Sequence, residues 1–191
     1  MAKTFKKLVT ITAPSGAGKS SITHYLLKHF PILDFSVSAT TRPQRGTEKD
    51  GKDYYFLSLP DFLEKISSGL FLEYEMVYPG KYYGTLKSEI DRIWDAGKVP
   101  ILDIDVKGAM KVREIFNDHA LYVFIAPPSL DELKKRLIKR GTETLENVET
   151  RLEKANYELS FQNHFDKTII NKDLEKACKQ TARMVKAFLE K

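Results

Sequence analysis

Ala13-Pro14-Ser15-Gly16-Ala17-Gly18-Lys19-Ser20 is the stretch that decides the fold. It follows an apolar, β-branched run, Leu8-Val9-Thr10-Ile11-Thr12, and leads into a segment of helical period in which Ile22, Leu26 and His29 share a face. A strand, a glycine-rich turn, Lys-Ser and a helix in that order form the setting in which the pattern G-x-x-x-x-G-K-[ST] cradles phosphate. The glycines let consecutive N–H groups point inward at phosphate oxygens, and the helix adds the positive end of its dipole. Lys19 then reaches the outer phosphates, Ser20 is placed to meet Mg²⁺ or its water shell, and Ser21 follows on the first helical turn. Position 13 is Ala where the strict pattern has Gly. That first glycine serves mainly the turn out of the strand, which Ala with ordinary dihedrals can also make.

Composition bounds the rest. A chain of 191 residues, 42% hydrophobic and 30% charged, fits one domain with inserted pieces and has no apolar run long enough to span a membrane. Met1 to Lys7 is too short and polar for a secretory signal, so a cytoplasmic location is expected. The single Cys178 forms no internal disulfide. It lies in a stripe with Leu174, Thr181, Val185 and Phe188 that reads as the buried face of a closing helix. The net charge of +5 raises nucleic acid as a partner, but no basic face interleaved with aromatics supports it. Five of the eight arginines, Arg42, Arg45, Arg136, Arg140 and Arg151, instead fall in two clusters beside loops. Arginine suits bidentate phosphate contact, so the clusters and the loop at 13–20 predict several phosphates held at once.

Along the chain, Phe35–Ser38 reads as a short strand and Ala39–Gly46 as a loop broken by Pro43. Tyr54 to Tyr83 holds six of the nine tyrosines and reads as short strands, Tyr54–Leu57 and Leu72–Tyr78, around a helix with Pro60 in its first turn and Gly69 at its stop. The pattern there predicts a small mixed sheet set between core elements. A helix over Leu86–Ala96 precedes the β-branched run Val99–Asp105, which closes on Asp103 and Asp105, where parallel sheets place ligands. Gly108 opens the next helix, and Leu121–Ile125 reads as a strand buried on both faces. Ser129 and Glu132 form a capping box for a helix through Arg140, with Leu130, Leu133 and Leu137 inward. Gly141 stops it. A second helix carries Val148, Leu152, Ala155 and Leu159, and Arg151 stands near its start. Lys167–Asn171 is a last strand before the closing helix. Strands alternating with long crossovers predict an α/β fold with five core strands, beginning near Leu8, Phe35, Val99, Leu121 and Lys167, in a mostly parallel sheet.

Two weak matches to GTPases are set aside. Asp105-Val106-Lys107-Gly108 fits D-x-x-G, but that is two fixed letters. Asn171-Lys172-Asp173-Leu174 puts Leu where N-K-x-D needs its guanine-reading Asp.

From Phe35 onward the chain resembles the guanylate kinases. The segments that carry the likeness are Phe35–Gly46, Gly51–Phe56, Phe71–Tyr74, Tyr82–Thr85, Ile101–Asp105, Ile125–Ser129 and Arg136–Gly141, in order and at family-like spacing over nearly the whole chain. Ala13 is a form associated with bacterial members. The resemblance implies a P-loop nucleoside-monophosphate-kinase fold: a single unit with a core over 1–37, 86–135 and 160–191, a GMP-binding subdomain over 38–85 and a helical lid over 136–159. It implies Mg²⁺-dependent transfer of the γ-phosphoryl group of ATP to GMP, with dGMP a second candidate acceptor, by a monomer or homodimer. Scaffold modules of the same fold degrade the phosphate loop and lid, whereas Lys19, Ser20, Arg136, Arg140 and Arg151 all stand here.

By the same carry-over, Glu73 reads the N1 and N2 donors of guanine with Asp105 assisting, and Ser38 and Thr85 approach its O6/N7 side. Arg42, Arg45, Tyr54 and Tyr83 hold the GMP phosphate. ATP is held by Ala13 to Ser21, with Asn171 near the adenine. Lys19, Arg42, Arg136, Arg140 and Arg151 act on the transferring group, and Asp103 acts near Mg²⁺ through water.

Overall fold

In a computed structural model, which describes residues 6–139 and 145–191, the α/β reading holds. The described residues form a five-stranded parallel sheet of β1 (Leu8–Thr12), β2 (Leu33–Phe35), β7 (Val99–Asp103), β8 (Ala120–Ala126) and β9 (Lys167–Ile170). Their order across the sheet is β2-β7-β1-β8-β9. A second sheet, ordered β4-β3-β6-β5, is built from β3 (Ala39–Thr40), β4 (Tyr55–Phe56), β5 (Phe71–Tyr78) and β6 (Lys81–Leu86).

Period-two alternation makes the core sheet a two-sided wall. Along β1 and β8, Val9, Ile11, Leu121, Val123 and Ile125 face helices α1 (Lys19–His29) and α7 (Leu174–Leu189). Leu8, Ala120, Tyr122, Phe124 and Ala126 face the other layer, with α3 (Lys87–Asp95) and α4 (Val106–Phe116). Every residue of β8 is buried, as a strand covered on both faces requires. The small sheet has its own core of Ala39, Phe62 and Phe71, where α2 (Leu59–Ser67) packs with its N-cap Ser58 accepting from the Asp61 N–H. Helices α5 (Leu130–Lys139) and α6 (Leu145–Leu159) share a third cluster, Leu133, Leu137, Val148 and Ala155.

Four readings need correction. The strand expected over Phe35–Ser38 ends at Phe35, because the Val37 N–H turns away to Glu89 Oε1 at 3.0 Å; the chain then enters the small sheet at Ala39, inside the stretch read as loop. The helix expected from Gly108 begins at Val106, since Asp105 caps it by accepting the Gly108 N–H at 2.9 Å. Leu174 is exposed, although Cys178, Thr181, Val185 and Phe188 are buried. His29 is also exposed, stacked on Tyr25, and Thr23 joins Ile22 and Leu26 inside. The stop at Gly141 and the residue Arg140 lie outside the described residues.

Candidate active site

Register builds the site. Parallel pairing of β1 with β7 sets Ile11 beside Asp103, so the Asp103 carboxylate emerges beside the loop that leaves β1. That loop wraps with Gly16 and Gly18 at φ 90° and 98°, and Ala17 N–H donates to Pro14 O at 3.0 Å. A side chain at Gly18 would collide with the Asn171 amide. Asn171 is buried there because its Nδ2 donates to Ala17 O at 2.7 Å and its N–H to Ala126 O at 2.8 Å, which fixes the loop to the C-terminal end of the sheet. Lys19 opens α1 and pairs with Asp103. Burial works against its charge, but the facing Asp103 carboxylate outweighs this and raises the ammonium pKa, so Lys19 stays cationic.

Across the small sheet, antiparallel pairing of β5 with β6 places Glu73 opposite Thr85. Thr85 Oγ1 donates to Glu73 Oε1 at 2.6 Å, and Glu73 is only 5% exposed. Burial pushes its pKa up to about 7; the Asp105 charge adds to this, while the Thr85 hydrogen bond and Lys111 oppose it. A Cβ on Gly108 would stand 2.5 Å from Glu73 Oε2, so the helix start must be glycine for the carboxylate to lie there. Gly108→Ala is therefore expected to push the Glu73 carboxylate aside with a change in stability within about 1 kcal/mol, because the contact is with the end of a flexible side chain and alanine suits a helix better than glycine. A crystal structure of the variant reads the displacement; a carboxylate left in its native place would contradict the close approach.

A single cleft of about 310 Å³ joins the two halves. Its walls include Ala13 to Gly16 and Gly18 to Ser21 from the loop, Asp103 and Asp105 from the end of β7, and Ser38, Tyr54, Glu73 and Tyr83 from the small-sheet side. Tyr54 and Tyr83 meet edge to face at 6.0 Å. Burial first, then Asp103 and Tyr83, raises the Tyr54 pKa, which keeps its hydroxyl a neutral donor. Thr85 stands behind Glu73, fully buried.

The described arginines among the candidates sit around this cleft rather than in its lining. Arg42 is buried against the Tyr54 ring, 4.7 Å from its centroid, and forms a fork with Glu48, Nη1 to Oε2 at 2.7 Å and Nη2 to Oε1 at 2.6 Å. That fork depresses the Glu48 pKa to about 2. Arg45 is exposed, and its backbone N–H donates to Glu48 at 2.9 Å. Arg136 donates from Nε to Glu132 at 3.1 Å and from Nη2 to Asn171 O at 3.0 Å, while Arg151 Nη1 donates to Ser15 Oγ at 2.7 Å. Helices α5 and α6 thus touch the glycine-rich loop or the Asn171 that anchors it.

Sequence reasoning missed four groups. Glu48 orders Arg42 and the Arg45 backbone from an irregular loop that carries no periodic signal. Glu89, buried on α3, accepts from Val37 N–H, Tyr55 OH and Arg92, tying the small sheet to the core. Lys154 and Glu158 of α6 line the cleft; their i, i+4 spacing is the pattern of a solvated helix face, so nothing in it points inward.

Comparison with known proteins agrees with this fold. Residues 5–188 match the family model described as guanylate kinase. The chain is 48% identical over 183 residues to a guanylate kinase of Bacteroides fragilis, covering 96% of this chain and 90% of that one. It is 48% identical over 184 residues to one of Salinibacter ruber, covering 96% and 97%. A crystal structure of guanylate kinase from Anaplasma phagocytophilum superposes with a TM-score of 0.78 at 31% identity, over 97% of this chain and 87% of that chain.

Proposed function

The chain belongs to the guanylate kinase family, and from that premise we infer how its residues move the γ-phosphoryl group of ATP to GMP, giving ADP and GDP. One observation carries the reading: a buried carboxylate fit for a base edge and a phosphate-cradling loop face the same cleft. Glu73, once ionised, accepts the adjacent N1 and N2 donors of guanine, with Asp105 beside it and Ser38 and Thr85 toward O6 and N7. Adenine presents an acceptor at N1 and is refused there, because a mismatched buried polar edge is expensive. Tyr54 and Tyr83 hold the GMP phosphate by neutral hydroxyls, which leave its oxygen nucleophilic. Arg42 and Arg45 supply the charge from behind, ordered by Glu48.

A GMP phosphate oxygen attacks the γ-phosphorus in line, and the bond to the β-bridging oxygen breaks, so the work is positioning and charge stabilisation. Lys19 and the loop amides grip the β/γ oxygens. Arg136, Arg140 and Arg151 neutralise the group in transit, and Asn171 serves ATP by holding the loop in shape. No protein base is needed for a nucleophile that is already an anion. The family implies Mg²⁺. Among the described residues no group of three or more His, Cys, Asp or Glu converges into a metal cage, and the Ser20 hydroxyl and Asp103 carboxylate are oxygen donors at the cleft. That sparse set suits Mg²⁺, which keeps waters and takes one or two protein ligands beside substrate phosphates. When bound, it neutralises charge on the phosphate oxygens.

We assign the small sheet, residues 38–85, to the acceptor, 136–159 to the lid, and 1–37, 86–135 and 160–191 to the core. The protein acts in the cytoplasm as a monomer or homodimer, with dGMP a weaker acceptor than GMP; no described helix is long and apolar enough to cross a membrane. Mixing ATP, Mg²⁺ and GMP should yield ADP and GDP in equal amounts by chromatography, with AMP at least about 100-fold slower. Equal rates with GMP and AMP would overturn the base-reading site.

A further inference from the structure

The cleft has a wall that the roles above leave unused. It comes from α6, where Lys154 and Glu158 stand one turn apart, and it reaches across to the end of β5, with the Lys154 ammonium 5.3 Å above the Tyr78 ring. Glu158 is 5% exposed and lines the cleft. Other carboxylates there are already engaged. Asp103 pairs with Lys19, Glu73 accepts from Thr85, Asp105 accepts from Gly108, and Glu75 is held by Lys107 at 2.9 Å and Lys111 at 3.5 Å. For Glu158, the nearest basic partner among the described residues is Lys154 at 3.8 Å, beyond hydrogen-bond length, so its oxygens keep acceptor capacity toward the cleft. Burying a carboxylate with that capacity unmet is costly. The complement is a ligand group rich in O–H donors.

Position says which group. Glu158 lines the same cleft as Lys19, at the phosphate end, and Asp105 and Glu73, at the base end. Its helix touches both sides, through Arg151 to Ser15 at 2.7 Å and through Lys154 to the Tyr78 ring, so Glu158 flanks the span between them. A nucleoside monophosphate laid from Glu73 to the loop puts its sugar there. A phosphate would be repelled by Glu158, and the base edge is served by Glu73. We propose that Glu158 reads the ribose of the acceptor nucleotide, its carboxylate accepting the 2′- and 3′-hydroxyls and so favouring GMP over dGMP. Acidic side chains hold ribose in the same way in dinucleotide-binding folds. The inference rests on the acceptor-site reading above.

The test compares KM and kcat for GMP and dGMP, at saturating ATP and Mg²⁺, in the native protein and in Glu158→Ala and Glu158→Gln. Loss of a hydrogen bond to a charged acceptor predicts a native KM for dGMP about tenfold above that for GMP. Glu158→Ala should bring that ratio to about one, mainly by raising KM for GMP, and Glu158→Gln, which keeps one acceptor, should fall between. A native ratio near one, or a ratio the variants leave unchanged, overturns the proposal. So does a lowered melting temperature with GMP and dGMP affected alike, the mark of a purely structural Lys154–Glu158 pair. Should neither variant fold, the native comparison of GMP with its 2′-deoxy and 3′-deoxy analogues decides alone. GMP turnover with a ratio indifferent to Glu158 removes this inference only, whereas no GMP turnover by the native protein removes the functional reading and this one with it.

Discussion

Lys19→Ala should lower kcat by about 10³-fold while leaving the fold in place. The ammonium opens α1, where the loop amides and the helix dipole converge, and in the proposed reaction it meets charge that grows on the β/γ oxygens during transfer. Removing one preorganised donor of that kind typically costs two to three orders of magnitude. Stability should change far less. The partner lost is Asp103, whose side chain is about one-fifth exposed, so water takes over much of the solvation. The pKa direction adds a check. Lys19 is raised above 10.5, so it is charged throughout the neutral range and no loss of activity between pH 6 and 9 should trace to its titration. Lys19→Arg should not restore the rate, since a planar fork does not replace a compact point charge in so tight a loop. The measurement is steady-state kcat beside a thermal melt. Near-native turnover in Lys19→Ala would remove the residue from the phosphate site, and a collapsed melt would assign it to the fold instead.

What the sequence made legible depended on how local the cause is. The strand–turn–helix around residues 13–20 was readable because its glycines, Lys19 and Ser20 lie within eight residues, and the structure places β1 before them and α1 at Lys19. β8 was readable because seven apolar residues in a row have one economical solution, a strand with helices on both faces. Where a partner distant in sequence decides, pattern fails. Val37 looks like the middle of a strand, yet its N–H bonds a carboxylate 52 residues away and the chain changes sheets. Asp105 resembles a catalytic strand-end residue and is also a helix cap, which moved the start of α4 by two positions. Glu89 and Glu158 sit on helices as charged residues amid other charges, and only the packed structure turns them inward. The resemblance to guanylate kinases singled out Glu73, which the structure places buried in the cleft, but not why it is held so firmly. The Glu73–Thr85 register pair and the bare Cα of Gly108 explain that.

Glu73→Gln should cut the GMP/AMP preference by about 10²-fold, from both sides. Guanine needs two acceptors, and the amide offers one acceptor and one donor, so one hydrogen bond to a charged group is lost and a donor faces a donor. Adenine, held in the same orientation, presents the N1 acceptor beside C2–H, so the amide N–H can donate to N1 and AMP should improve modestly. Shape is kept, because the amide oxygen can still accept from Thr85 Oγ1. The native protein should show the same exchange as a function of pH. Burial lifts the Glu73 pKa from 4.5 to about 7, so the fold favours the protonated acid, and this stabilising effect is present below pH 4.5 and lost as pH rises through about 7. At 1.36 kcal/mol per unit, that shift corresponds to on the order of 3 kcal/mol. Glu73→Gln should therefore gain in melting temperature relative to the native protein between pH 5 and pH 8. Guanine has the opposite preference, for the ionised form. GMP should bind less tightly as pH falls below about 7, releasing a proton on binding in that window, while AMP should lose nothing, since a protonated carboxyl can donate its O–H to adenine N1. Kinetic constants for both nucleotides from pH 5.5 to 8, in the native protein and Glu73→Gln, test the whole chain of argument. A GMP/AMP ratio that is flat with pH and unchanged by the substitution would place base recognition elsewhere in the cleft.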